Sequence, residues 1–221
     1  MQIDMRVMEL LASKLCHDLV SPVSAINNGV ELIEEIGGSV VAEAMKLIGD
    51  SGGVASRRLR LYRLAYGRAG SENALGLKDV RQVAEQYLSG TKITLVWPED
   101  VPSEGAVERR GFLKTILNLI VLAEETLAYG GAVTLHRDEE GGCQLEIVGR
   151  NACLNLRLQE ALEGSVSVEE LTPRSIQAYL TGRFAENFGF KLTHDHSIPD
   201  RLNLSLTPLL SESETPIVNV C

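Results

Sequence analysis

Residues 41–66 read VAEAMKLIGDSGGVASRRLRLYRLAY. Within this stretch Val41, Met45, Ile48, Gly52, Ala55, Leu59, Tyr62 and Tyr66 fall at alternating spacings of four and three. That is an apolar seam of period 3.5, the pattern of one helix laid along another. Upstream, Met8, Leu11, Leu15, Leu19, Pro22, Ile26 and Ile33 form a comparable stripe. Gly37 and Gly38 break the chain between the two runs, and Ser39 is placed to cap the second. Residues 4–68 are therefore expected to form an antiparallel helical hairpin. Leu47, Val54, Leu61 and Leu64 add apolar surface off the seam, more than two helices alone can bury. A four-helix bundle made by two chains would cover both sets, so the hairpin is expected to form a homodimer.

Downstream the periodicity changes. GRAGSENALG (67–76) is small, polar and glycine-containing, and reads as a linker between a unit at 1–70 and a second at 71–221. Helices are expected at 77–89, 107–127 and 174–188. Strands are expected at 93–97, 132–137, 143–149, 154–158, 190–196 and 201–208. A mixed sheet layered with helices follows, so the whole chain is of the α+β class: a helical hairpin, then an α/β sandwich.

The composition narrows the function. Of the 221 residues, 44% are hydrophobic and 23% charged, as in ordinary globular proteins. No apolar run reaches the roughly 18 residues a membrane span needs, and the N-terminus lacks a signal-peptide layout, so a cytoplasmic protein is expected. Residues 1–70 hold 8 bases and 8 acids, so the net charge of −9 resides in the remainder. An acidic chain of this kind is a poor nucleic-acid binder. The four cysteines show no paired spacing, and His194 and His196 alone do not make a metal site.

His17 stands apart. It falls in the register Leu10, Lys14, His17, Ser21, Ser24, Asn28, Glu31, about 160° around the helix from Leu15 and Leu19. It therefore has no packing duty. One turn later Pro22 removes the hydrogen bond to the carbonyl of Asp18, at a cost of about 3 kcal/mol in a helix interior. A defect kept beside an exposed histidine points to use rather than accident.

The string HDLVSPV (17–23) resembles the phospho-accepting box of sensor histidine kinases, and it lies early in the first helix of a dimerising hairpin, where that box belongs. The longer run LCHDLVSPVSAINNGVELI (15–33) resembles the ChpT family of histidine phosphotransferases. That resemblance implies a degenerate ATPase-like domain after the hairpin, and three strings fit the degeneracy. The asparagine box is represented by Asn118-Leu119-Ile120-Val121-Leu122-Ala123, with leucine where a metal-contacting asparagine belongs. Gly149-Arg150-Asn151-Ala152-Cys153 stands where an Asp-x-Gly-x-Gly adenine loop belongs. Thr172-Pro173-Arg174-Ser175-Ile176 offers no glycine for cradling phosphates.

The expected activity is phosphoryl transfer through His17 between the aspartates of receiver domains. No cofactor and no metal are expected on this chain; Mg²⁺ is expected to accompany the receiver. Asp18 is a candidate to orient the imidazole, and Ser21 shares its face. Lys14, Ser24, Arg57, Arg60 and Arg63 are candidates for holding an acidic receiver pocket, since residue 17 is expected to lie near residue 60. The resemblance implies a hybrid kinase such as CckA as donor and regulators such as CtrA and CpdR as acceptors. An ATP-dependent kinase core and a dimeric scaffold that docks receivers without transfer remain the alternatives.

Overall fold

The computed structural model describes residues 4–68, 76–101, 107–137 and 141–209. Two long helices come first, α1 (Met5–Glu35) and α2 (Val41–Ala65), joined by a short 3-10 turn. The α2 N-cap is Val40, with no side-chain cap, so Ser39 sits inside the turn instead of capping the helix as expected. Asp4 caps α1 by accepting from the Arg6 amide. The helix runs unbroken through Pro22, which is buried. Gly29 is also buried, and a Cβ there would lie 2.6 Å from Cγ1 of Ile48 and 3.2 Å from the Ala44 carbonyl. Glycine thus lets the two helices meet closely at that level.

The remaining elements are α3 (Leu77–Leu88), β1 (Ile93–Val96), α4 (Phe112–Thr126), β2 (Gly131–Arg137), β3 (Cys143–Val148), α5 (Leu156–Glu163), α6 (Ile176–Asn187), β4 (Phe190–Asp195) and β5 (Arg201–Pro208). The strands form one sheet in the order β1-β2-β3-β5-β4, with β1 parallel to β2 and the other pairs antiparallel. Leu145 lies opposite both Leu135 and Leu204, and Val133, Ile147, Leu202 and Leu206 complete the buried face. Thr134, His136, Glu146 and Asn203 alternate onto the other face. The α+β expectation holds.

Two element expectations fail. The alternation in residues 154–158 suggests a strand, but the helix α5 begins at Leu156, because the Asn155 side chain accepts from the Leu158 amide and caps it. The central helix begins at Phe112, not at 107. Gly111 precedes it with φ 78°, and a Cβ there would strike the Phe188 ring, so the backbone turns sharply before entering α4. From Phe112 to Ala123 every residue of α4 is buried, which marks a helix enclosed on all sides.

The proposed linker lies largely outside the described residues, but its flanks share one core. Leu61 and Leu64, expected to seek a second chain, are buried against the second half of this one, in the same cluster as Val80, Tyr87, Ile116 and Ile120. The C-terminal turn of α2 is held there by α4. Asn118 donates to the Ala65 carbonyl (2.8 Å), and Lys114 donates to the carbonyls of Tyr66 (3.3 Å) and Gly67 (2.8 Å). These are the carbonyls a helix end leaves without partners.

Candidate functional site

His17 projects from the second quarter of α1 with 90% of its side chain exposed, as its place opposite the apolar stripe requires. Its neighbour Asp18 is the reverse, 17% exposed and directed toward α2. The Asp18 carboxylate accepts from the Tyr62 hydroxyl at 2.6 Å and from Lys14 Nζ at 3.3 Å, both through Oδ2, and Arg58 Nη1 lies 3.8 Å from the same oxygen. The other oxygen, Oδ1, lies 3.6 Å from Nδ1 of His17.

A layer of α3 and α4 residues stands behind Asp18. Lys14 also donates to Glu125, and Arg58 donates to Glu124 (3.4 Å) and to the Tyr62 hydroxyl (3.3 Å). The Arg58 guanidinium sits over the Tyr87 ring, 5.9 Å from its centroid, and the Tyr87 hydroxyl donates to the second Glu124 oxygen at 2.8 Å. Burial pushes the Asp18 carboxyl up, but Tyr62, Lys14 and Arg58 outweigh it and hold the group below its ordinary value. Glu125 goes the other way. Burial raises it, and Glu124 and Asp18 nearby keep it raised although Lys14 opposes them. Burial lowers Lys14, yet the two carboxylates carry it above its usual value. The Tyr62 hydroxyl is raised by burial and by its bond to Asp18, so it remains a donor across the physiological range.

The expected site residues separate. Ser21 and Ser24 are exposed on α1 near His17. Arg63 is exposed, Arg60 is exposed and donates to Gln86 at 2.9 Å, and Arg57 is half-buried. Lys14, expected to face a partner, is only 9% exposed and is engaged between Asp18 and Glu125. The arginine that reaches Asp18 is Arg58. Tyr62, Tyr87, Glu124 and Glu125 are absent from the expected set. Tyr62 was legible as the one seam position with a polar tip at the level of His17. The acid pair was legible as the charged end of a mostly apolar helix.

The three strings expected to mark a degenerate nucleotide site also have definite places. Leu122 is fully buried. Asn118 is fully buried too, and it spends its amide on the carbonyls of Ala65 and Lys114. Gln177 donates to the Asn118 carbonyl (3.1 Å) and side-chain oxygen (3.3 Å), and accepts from the Tyr66 hydroxyl. Thr181 donates to the Gln177 carbonyl at 2.7 Å. Arg150 is exposed and stacks over Tyr129. Just before Thr172, Arg6 of α1 donates to the carbonyls of Val168 and Leu171, each at 3.0 Å. Among the described residues no three His, Cys, Asp or Glu side chains converge as metal ligands, and no helix is long and apolar enough to cross a membrane.

The chain is similar to known proteins along most of its length. It is 33% identical over 190 residues, 83% of this chain and 87% of the relative, to the protein phosphotransferase ChpT of Brucella abortus (strain 2308). It is similar in structure to a bacterial phosphotransferase solved at 1.7 Å, with a TM-score of 0.73 and 28% identity over 93% of this chain and 98% of that one. The histidine phosphotransferase C-terminal domain matches residues 77–198. On this agreement of sequence and fold, the chain belongs to the ChpT family of histidine phosphotransferases.

Proposed function

We propose that this protein is a phosphorelay phosphotransferase that carries the phosphoryl group on His17 and does not use ATP. The observation that carries the reading is the contrast at residues 17 and 18: an exposed imidazole beside a carboxylate anchored from behind. Nε2 of His17 attacks the phosphorus of an acyl phosphate on a receiver aspartate. The N–P bond forms as the P–O bond breaks, and the receiver carboxylate leaves with the electron pair. Such in-line transfer depends on positioning and charge stabilisation. Reversal onto a second receiver completes the relay. Mg²⁺ comes with the receiver's acidic pocket. Ser21, Ser24, Arg60 and Arg63 lie outward on the hairpin and are available for docking that pocket. Lys14 does not join them, because its charge is already engaged within the chain.

The loss of ATP use is supported by the buried Leu122, by the engagement of Asn118 with α2, and by the Arg6 clamp where a phosphate loop would open. The homodimer is supported by apolar side chains left exposed on the hairpin, among them Val20, Val23, Val30, Met45 and Leu59. A hybrid kinase of the CckA kind as donor and regulators of the CtrA and CpdR kind as acceptors fit this reading, as does a cytoplasmic location.

The decisive experiment is phosphate trapping with a ³²P-labelled receiver. The native protein should acquire a label that is lost in acid and kept in base, as a phosphoramidate behaves. His17→Ala should abolish it while changing stability by no more than about 0.5 kcal/mol, as surface substitutions do. Labelling of His17→Ala at the native rate would sink the proposal and leave a receiver-docking scaffold as the better account.

A further inference from the structure

The carboxylate of Asp18 is not merely near the histidine; its two oxygens have different environments. Among the described residues Oδ2 carries every lysine, arginine and hydroxyl contact: Tyr62 at 2.6 Å, Lys14 at 3.3 Å and Arg58 at 3.8 Å. Oδ1 faces Nδ1 of His17 at 3.6 Å, a small side-chain adjustment away from a hydrogen bond. Rotation of the carboxylate is therefore restrained from the side away from His17. The restraint does not belong to the hairpin alone. Each cation that touches Asp18 has a second carboxylate on α4, Glu125 for Lys14 and Glu124 for Arg58. Tyr87 of α3 fixes Glu124 in turn.

We infer that Tyr62, Lys14, Arg58 and the α4 pair Glu124–Glu125 are positioning residues for phosphoryl transfer: by anchoring one oxygen of Asp18 they aim the other at Nδ1 of His17 and so select the ring tautomer that leaves Nε2 as the nucleophile. The inference rests on the relay reading above. It assigns the second half of the chain a part in the chemistry that docking alone does not require. A histidine ring holds its proton on one nitrogen according to the hydrogen bond the other nitrogen makes or lacks. With the proton on Nδ1 and donated to Asp18, the Nε2 lone pair points outward. When the N–P bond forms at Nε2 the ring becomes cationic, the proton stays on Nδ1, and the Asp18 carboxylate stabilises the new charge. An Asp18 free to turn its charge toward solvent would do neither.

The test uses the full chain with ¹⁵N-labelled histidine. The His17 tautomer is read by long-range ¹H–¹⁵N NMR at a pH where the ring is neutral. In parallel, single-turnover phosphate acceptance and receiver affinity are measured. In the native protein the proton should reside mainly on Nδ1. In Tyr62→Phe and in Glu124→Gln/Glu125→Gln it should move toward Nε2, and the transfer rate should fall roughly tenfold, a fraction of what a proton-handling group contributes. Receiver affinity should stay within twofold in both. Arg58→Lys, which keeps the charge, should recover most of the rate lost in Arg58→Ala. Glu125→Gln alone preserves shape and supplies the measurement should Tyr62→Phe fold poorly. Native tautomer and native rate in these variants would overturn the inference while the relay stands. So would a fall in receiver affinity with the tautomer unchanged, because that describes a docking surface. A native protein that takes no phosphate at all overturns the relay reading, and this inference with it.

Discussion

Asp18 is subject to two opposed influences, and their balance has a measurable acid signature. Its folded carboxyl sits below the ordinary value of 3.8, so it stabilises the fold fully above that pH and loses the contribution as pH falls through the lower folded value. Asp18→Asn should therefore cost ~2 kcal/mol at neutral pH, the scale of a charged hydrogen bond, and should flatten the fall in thermal midpoint below about pH 4. An unchanged acid limb in Asp18→Asn would show that the carboxylate is not anchored. Glu125 works in a separate window. Raised above its ordinary 4.5, it disfavours the fold as pH climbs past that value, so it does not mimic the Asp18 effect. At this scale the exposure of His17 was legible from its angle on the helix. The inward turn of Lys14 was not, because the two share a register, and Glu125 of α4, 111 residues later, supplies the second carboxylate that draws Lys14 in.

Helix α1 meets α2 closely at Gly29, and the nearest atoms there include a backbone oxygen that cannot step aside. Gly29→Leu should force the helices apart and lower stability by about 1–3 kcal/mol, read as a lower urea midpoint; an unchanged midpoint would mean the crossing is looser than described. The hairpin was legible because a heptad seam is a long, redundant signal. Residues 154–158 were misread because five alternating residues fit a strand as well as the first turn of a capped helix, and the cap at Asn155 acts through one side chain. Leu61 and Leu64 were assigned to the wrong partner for a related reason. Periodicity shows that a face is apolar but not which element covers it. Helix α4 bears on ATP use: with Asn118 committed to Ala65 and Leu122 enclosed, calorimetry with Mg·ATP should show no binding heat up to millimolar nucleotide. Micromolar affinity would favour the kinase reading instead.

The whole molecule leaves much apolar surface on one part of itself. Met45, Leu47 and Leu59 on α2 and Val20, Val23 and Val30 on α1 remain exposed even after the second half of the chain has covered Leu61 and Leu64. A bundle with a second copy would cover such a surface. Light scattering at micromolar concentration should give twice the 24.1 kDa chain mass, and a mass near one chain would count against the four-helix arrangement. The hold of Lys114 and Asn118 on the end of α2 carries a further consequence. The asparagine helix now has a ligand of its own, the terminal carbonyls of a helix on the same chain. A tethered group of this kind competes at an effective concentration of roughly millimolar or more, present in every molecule at all times. Asparagine at Leu122 would therefore not by itself free Asn118 from the end of α2. Any ligand that took Asn118 and Lys114 would first have to displace the end of α2, the helix that carries Tyr62 and Arg58.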